Sequence, residues 1–152
     1  DIEEIHNLDK ESVKFYRRFD KDFYTISENW WKIKKYSQIK AIKSPTNLIL
    51  VAELDKKVVG YIWGYIETIM KHKIGKIQEL IVTSKQRGKG IGKELIKNIL
   101  NFFKERKCVV SEIKVFVNNE PTIKVYEKAG FRKREYKMQL RLNKNKTFRP
   151  FF

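Results

Sequence analysis

Apolar residues recur every three or four positions through most of the first 42 residues, which predicts two amphipathic helices. The first helix covers residues 1–19, and its apolar positions are Ile2, Ile5, Leu8, Val13, Tyr16 and Phe19. After a connection at 20–25, the second helix begins behind Ser27 as N-cap and runs to about Ile42, where Ser44 and Pro45 stop it. Its predicted apolar side consists of Trp30, Ile33, Tyr36 and Ile39.

The pattern then changes to short apolar runs separated by polar breaks. Residues 47–54, 58–70 and 76–82 are rich in residues that favour strands, and the breaks at 55–57 and 71–75 are short. Three successive strands joined in this way predict an antiparallel meander.

Helical and strand patterns alternate in the second half of the chain. A stripe of apolar residues predicts a helix after residue 90, and it consists of Ile91, Leu95, Ile96, Ile99, Leu100 and Phe103. Residues 112–117 and 134–142 are predicted strands, and 121–129 is a predicted helix with Pro121 at its start and Gly130 past its end. The order predicts an α/β fold with a mixed sheet and helices on both faces.

The composition is that of one globular domain, with 152 residues of which 41% are hydrophobic and 34% charged. No apolar run is long enough to cross a bilayer, and with a lone cysteine, Cys108, and no visible secretory signal we expect a cytoplasmic location. His6 and His72 lack metal-ligand spacing, so no metal site is predicted. The formal net charge of +16 favours a polyanionic partner, but a lysine-rich proteome explains it equally well.

Three glycines alternate with cations between the third predicted strand and the next helix. This glycine-rich loop consists of Arg87, Gly88, Lys89, Gly90, Ile91, Gly92 and Lys93. A helix N-terminus offers unpaired amides, and glycine lets a ligand approach the backbone, so the loop either binds phosphate or is an ordinary turn. It is not a nucleoside-triphosphate P-loop, because residue 87 is Arg and residue 94 is Glu. Nor is it a dinucleotide fingerprint, because residue 93 is Lys.

Two motifs in the second half of the chain resemble those of the GNAT superfamily of N-acetyltransferases. The first family pattern, Arg/Gln-x-x-Gly-x-Gly/Ala, is matched by Arg87, Gly90 and Gly92 after an apolar strand. The second pattern has Asn, then Tyr seven residues later, then Gly-Phe, and it is matched by Asn119, Tyr126, Gly130 and Phe131. The resemblance is strong from about residue 47 to 142, and two motifs at this spacing are far more specific than either alone.

The resemblance implies a single acetyltransferase domain over residues 1–152, with a mixed, mostly antiparallel sheet that is splayed at its centre. The family's usual first strand would then lie before residue 1 or be absent. Acetyl-CoA would be the co-substrate, with its pyrophosphate on the glycine-rich loop and its pantetheine arm paired with the backbone of Leu80, Ile81 and Val82. Asn119 would either contact CoA or cap the helix that follows it.

The resemblance also implies direct attack of an amine on the thioester, with two residues in catalytic roles. Tyr126 would protonate the departing thiolate, although a packed aromatic residue is the alternative. Glu79 would be the base if burial among Ile77, Leu80 and Ile81 raises its pKa, although an ion pair with a lysine is the alternative. Glu67, on the neighbouring predicted strand, is the reserve candidate for the base.

The acceptor amine is not specified by the sequence, so a protein N-terminus, a lysine, a polyamine and a small molecule all stay open. The alternative function is a non-catalytic basic module on the same fold that binds nucleic acid or senses CoA, because fold alone does not establish function. The basic tail at 143–152 either packs, stays solvated or binds nucleic acid through its phenylalanines. No membrane partner is expected, and a homodimer stays open.

Overall fold

The computed structural model describes residues 1–19 and 28–140. Its elements in chain order are α1 (Ile2–Tyr16), α2 (Glu28–Ile42), β1 (Asn47–Leu54), β2 (Lys57–Ile69), β3 (His72–Val82), α3 (Ile91–Glu105), β4 (Val110–Ile113) and α4 (Glu120–Lys128). The predicted α/β class is therefore confirmed. The predicted connection at 20–25, the N-cap Ser27 and the tail at 143–152 lie outside the described residues.

The sheet has the order β1-β2-β3-β4, with two antiparallel pairs followed by one parallel pair. Both hairpins are tighter than the sequence predicts, because each turns on two residues with positive φ: Asp55 and Lys56, then Met70 and Lys71. Positive φ at both central residues is the mark of a type I′ turn, whose twist matches that of the strands. The strand β3 therefore starts at His72, four residues before the predicted start.

Helices cover both faces of the sheet, as predicted. On one face α3 contacts β1, β2 and β3, and on the other α1 contacts β2 and β3. The sheet has a hydrophobic core on each face, and neighbouring residues of β2 contribute to both. Ile62 packs with α3 in one core, and Tyr61 packs with α1 in the other. Cys108 packs at the edge of the α3 core, as expected for a small hydrophobe.

Two predictions about apolar faces are wrong. Ile33 and Tyr36, on the predicted apolar side of α2, are 64% and 68% exposed, while the polar Gln38 of the same helix is fully buried. In the described part of the predicted last strand, residues 134–140, no strand forms, and Tyr136, Met138 and Leu140 are exposed. In both segments the alternation of apolar residues alone did not decide which side is buried.

A pair of glycines lets α3 lie close to the sheet. A Cβ at Gly64 would meet Phe103 Cζ at 2.7 Å, and a Cβ at Gly75 would meet the Phe103 ring at 2.4 Å. Phe103 is itself buried. The absence of side chains on β2 and β3 at these two positions therefore makes room for the ring.

We expect Gly75→Ala to lower the free energy of unfolding by about 1–3 kcal/mol, because the added methyl overpacks a rigid ring. The midpoint of urea unfolding measures this change. Gly92→Ala is the matched control, since its Cβ would meet its nearest neighbour, Leu80 Cδ2, at an ordinary 3.8 Å. Equal midpoints for the two variants would mean that Phe103 can move away from β3 without cost.

Candidate active site

The strands β3 and β4 pair over only part of their length and then diverge. Their parallel register runs from Ile74 opposite Val110 to Ile77 opposite Ile113 and stops there. At the same point β3 carries a bulge against β2, because Trp63 is opposite Glu79 while Gly64 is opposite Ile77. The extra residue, Gln78, bends β3, as bulges do.

A cavity of about 390 Å³ lies where the two strands diverge. The far half of β3 forms one wall, and the chain that follows β4 forms another. Its lining includes Gln78, Glu79, Leu80, Lys114, Val115, Phe116, Asn119 and Tyr126, together with residues of α1 and α2. Beyond Ile77 no strand among the described residues pairs with the second edge of β3. That edge, which includes Leu80, Ile81 and Val82, is therefore available to an extended ligand.

The glycine-rich loop joins the end of β3 to the start of α3. Gly88 and Gly90 have φ of 76° and 84°, a conformation that side chains other than glycine adopt at a cost. Gly90 is the N-cap of α3, and no side chain caps the helix there. The first amides of α3 consequently carry the partial positive charge of a helix N-terminus without a capping oxygen.

The cations of this loop differ in their surroundings. The Arg87 guanidinium lies 4.4 Å from the centroid of the Phe15 ring in α1, and Arg87 Nε donates to the carbonyl oxygen of Val82. Lys89 Nζ donates to Gln86 Oε1 at 2.9 Å, and Lys93 is exposed. Arg87 therefore holds the end of β3 against α1 in this structure.

A carboxylate of α1 holds the other side of the same loop. Glu11 Oε1 accepts the Ser84 amide at 2.7 Å, and Glu11 Oε2 accepts the Thr83 hydroxyl at 3.0 Å. Burial acts to raise the pKa of Glu11, but the hydrogen bonds from Ser84 and Thr83 outweigh it and hold the pKa below its usual value. Glu11 thus stays ionised and fixes the backbone that leads into the glycine-rich loop.

Tyr126 lies on α4, where it packs in the α3 core and lines the cavity. Its ring meets that of Phe131 edge-on at 5.3 Å. Burial, with a smaller effect from Tyr16, raises the pKa of Tyr126 above its usual value. The phenol is therefore protonated at neutral pH and can donate a hydrogen bond.

Asn119 is buried at the start of α4, and its Oδ1 accepts the Thr122 amide at 3.4 Å. Of the two interpretations of this residue, the structure supports the helix cap. Asn119 also lines the cavity, so its side chain lies within reach of a ligand there.

Glu79 lies on β3 just beyond the bulge and lines the cavity. Lys34 Nζ donates to Glu79 Oε1 at 2.5 Å, and the Tyr61 hydroxyl lies 2.6 Å from Glu79 Oε2. Burial is the main cause that raises the pKa of Glu79 above its usual value; Lys34 opposes the effect and Asp9 adds to it. The burial that the sequence predicts and the ion pair that it offers as the alternative are thus both present.

Glu67 is not brought to the cavity. Its carboxylate is 45% exposed and pairs with Lys76 at 3.4 Å on the surface of β2 and β3. The two glutamates therefore have separate surroundings, and of the two only Glu79 lines the cavity that Tyr126 also lines.

Comparison with known proteins gives this arrangement a family. Residues 2–131 match the acetyltransferase (GNAT) family. The chain belongs to that family.

A curated relative and two solved structures agree with this membership. An uncharacterized N-acetyltransferase of Methanocaldococcus jannaschii is 32% identical over 127 residues, covering 80% of this chain and 54% of the relative. The chain therefore spans about half the length of that relative. A Bacillus halodurans protein superposes with a TM-score of 0.82, covering 93% of each chain at 21% identity.

The second structure is that of AAC(6')-Iy in complex with the bisubstrate analogue CoA-S-monomethyl-acetylneamine. It superposes with a TM-score of 0.70 at 14% identity, covering 93% of this chain and 91% of that chain. At such identities the likeness concerns the fold, which is the mixed sheet with helices described above. Among residues 1–19 and 28–140, no helix has the length and apolar character needed to cross a membrane.

Sequence reasoning missed the polar residues behind Glu79. Asp9 of α1 accepts hydrogen bonds from Lys34 and Gln38 of α2 and from the Tyr61 hydroxyl. The signal for Asp9 was present, since it follows Ile5 by four residues and so falls on the apolar stripe of its helix. A carboxylate on a buried stripe needs partners, and it indicates a polar site beneath the helix.

Proposed function

We propose that this member of the GNAT family transfers an acetyl group from acetyl-CoA to a primary amine by direct attack in a ternary complex. One observation supports this above all: the unpaired edge of β3, Glu79 and Tyr126 border one cleft, and β3 leads directly through the glycine-rich loop to the uncapped N-terminus of α3. Holding two substrates in such a cleft turns their encounter into an oriented reaction, which can lower the barrier by about 7–11 kcal/mol.

In this proposal the glycine-rich loop binds the pyrophosphate of acetyl-CoA through the amides at the start of α3. Leu80, Ile81 and Val82 offer backbone groups to the pantetheine arm, which lies where a strand would otherwise pair. Backbone amides at the split also polarise the thioester carbonyl. Because Arg87 and Glu11 both fix the chain around the loop, the cradle is formed before the ligand arrives.

The chemical roles follow from the two ionisable residues of the cleft. Glu79 accepts the proton of the acceptor ammonium, so that the neutral nitrogen attacks the thioester carbon. The carbon–sulfur bond then breaks, Tyr126 gives its hydroxyl proton to the leaving thiolate sulfur, and the tyrosinate regains a proton from the nitrogen of the new amide. Such proton transfers contribute roughly 10²–10⁴-fold each. We also propose a cytoplasmic location, since a protein with one cysteine, Cys108, needs no oxidising compartment to form an internal disulfide.

We expect saturating acetyl-CoA to raise the melting temperature by roughly 5–10 °C. A ligand at a hundred times its Kd stabilises by about 2.7 kcal/mol, and each kcal/mol shifts a domain of this size by about 2–4 °C. Isothermal titration should give a Kd in the micromolar range. The double variant Arg87→Ala with Gly90→Val should weaken acetyl-CoA binding. It removes the Arg87 contacts that hold the end of β3, and it replaces a glycine that needs positive φ in the loop.

The control is Lys71→Val, since Lys71 also has positive φ but lies in the turn between β2 and β3, at the opposite end of β3 from the loop. It should lose stability yet keep its acetyl-CoA affinity. Equal affinities for the double variant and the control would contradict the phosphate cradle.

Thiol release should then be followed with four acceptors: a peptide N-terminus, a lysine peptide, spermidine and an aminoglycoside. Tight acetyl-CoA binding without transfer to any of them would favour a CoA-sensing module.

A further inference from the structure

Five polar side chains from four elements meet behind the cleft. Asp9 comes from α1, Lys34 and Gln38 from α2, Tyr61 from β2 and Glu79 from β3. Asp9, Gln38 and Tyr61 are fully buried, and the Lys34 and Glu79 side chains are only 10% and 18% exposed. Glu79 is therefore the member of this cluster that carries a carboxylate to the cavity wall.

The hydroxyl of Tyr61 lies between the two carboxylates. It is 2.5 Å from Asp9 Oδ1 and 2.6 Å from Glu79 Oε2. A phenol has one proton, and two oxygens at such distances need a proton between them. One carboxyl must therefore supply the second proton, so this geometry is that of a carboxyl pair holding one proton.

The charges of the cluster also indicate that the two carboxyl groups hold one proton. Lys34 Nζ reaches both Asp9 Oδ1, at 2.8 Å, and Glu79 Oε1, at 2.5 Å. Gln38 Nε2 donates to the other oxygen of Asp9 at 2.9 Å. Two carboxylates and one ammonium leave one negative charge in a buried place, which is costly, and one proton removes it.

We infer that Asp9 and Glu79 form one proton-holding unit, bridged by the Tyr61 hydroxyl, and that the acceptor amine meets this pair rather than a single glutamate. The inference rests on the proposed function for its role in catalysis, but the pair itself does not. Asp9 is a positioning residue in this unit, because it reaches the cleft only through Tyr61 and Lys34.

The proton moves within the unit without net charge transfer to solvent. When Glu79 Oε2 holds a proton, that proton passes to the Tyr61 oxygen while the Tyr61 proton passes to Asp9 Oδ1. The result is ionised Glu79 beside neutral Asp9, and the reverse step restores the first state. Because Asp9 and Tyr61 are fully buried, the pair exchanges protons with the cleft through Glu79.

Other titratable groups surround the pair. His6 of α1 lies near Asp9 with its pKa lowered by burial, so it is neutral at pH 7. Tyr16 of α1, Lys114 after β4 and Tyr126 of α4 line the same cavity as Glu79. These groups do not bridge the two carboxylates, whereas Tyr61 does. A two-step titration of Glu79 would therefore report Asp9.

The first test uses the wild-type protein without substrates. The side-chain carboxyl carbons of its aspartates and glutamates are labelled with ¹³C, and their NMR chemical shifts are followed from pH 3 to 9. The Glu79 signal is assigned as the one that is missing from the spectrum of Glu79→Gln. We expect the Glu79 carbon to titrate in two steps, because interacting groups share macroscopic pKa values. A single step of ordinary shape would overturn the pair. This result does not depend on turnover, so an inactive protein with a two-step curve would defeat the proposed function alone.

The second test compares Asp9→Asn with a matched control, Glu3→Gln. Glu3 also joins α1 to a lysine of α2, Lys35, but at the surface and away from Glu79. In Asp9→Asn the negative charge of Asp9 is gone and Lys34 pairs with Glu79 alone, which favours the ionised form of Glu79. The fall of kcat/KM on the acid side of its pH profile should therefore move down by about one to two pH units. Glu3→Gln should keep the wild-type limb. An unmoved limb in a folded Asp9→Asn would overturn the inference, and if that variant does not fold, the wild-type titration decides.

Discussion

Glu79→Gln is expected to lower turnover by roughly a hundredfold at neutral pH, the lower end of what general base catalysis contributes. Gln keeps the size of the side chain and can still accept a hydrogen bond from Lys34, so acetyl-CoA affinity should hold. The loss should shrink at high pH, where the acceptor amine is already neutral. Acetyl transfer measured from pH 5 to 10 for both proteins gives this comparison.

The direction of the pH effect follows from the surroundings of Glu79. Burial raises its pKa, so in the wild type the active, ionised form is lost at a higher pH than for an ordinary glutamate. The acid limb should therefore lie above the usual glutamate range and be absent from Glu79→Gln. Glu67→Gln discriminates the two candidates, because Glu67 sits in a surface ion pair and its loss should leave turnover unchanged. Coincident pH–rate profiles for wild type and Glu79→Gln would mean that water, and not Glu79, accepts the proton of the amine.

Tyr126→Phe is expected to lower turnover by roughly a hundredfold on every acceptor, since thiolate departure is common to all of them. The ring should keep its edge-on contact with Phe131, so the melting temperature and the acetyl-CoA Kd should change little. Because burial keeps the phenol protonated, the wild type should show no alkaline loss of activity below about pH 10 from this residue.

The control for Tyr126→Phe is Tyr36→Phe, which removes a phenol from the exposed side of α2. Rates are measured by thiol release at saturating acetyl-CoA, so that binding does not limit them. If both variants turn over at the wild-type rate, Tyr126 is a packing residue and the thiolate leaves by taking a proton from water.

Much of the side of the site that we propose binds acetyl-CoA could be predicted from the sequence, because its determinants are local. The glycine-rich loop needs positive φ at Gly88 and Gly90, and the start of α3 follows directly in the chain. The cap of α4 by Asn119 depends on a residue only three positions away. Such features survive whatever the rest of the fold does.

The acid–base side could be predicted only in part. Glu79 is predicted from its apolar neighbours in β3, but its hydrogen-bond partners come from α2 and β2, up to 45 residues away in the chain. The inward face of α2 is decided by those partners. Lys34 and Gln38 face inward to satisfy the two carboxylates, and Ile33 and Tyr36 are left outside.

The sequence by itself determined most of the elements, the α/β class and the glycine-rich loop before α3, because periodicity, turn residues and glycine conformations act over a few residues. The tertiary structure alone decided three things: where β3 leaves β4, which face of α2 is buried, and that Asp9 meets Glu79 across Tyr61. Each depends on groups from separate elements competing for the same buried space. An unpaired buried charge costs more than an exposed Ile or Tyr, so the polar contacts decided the packing.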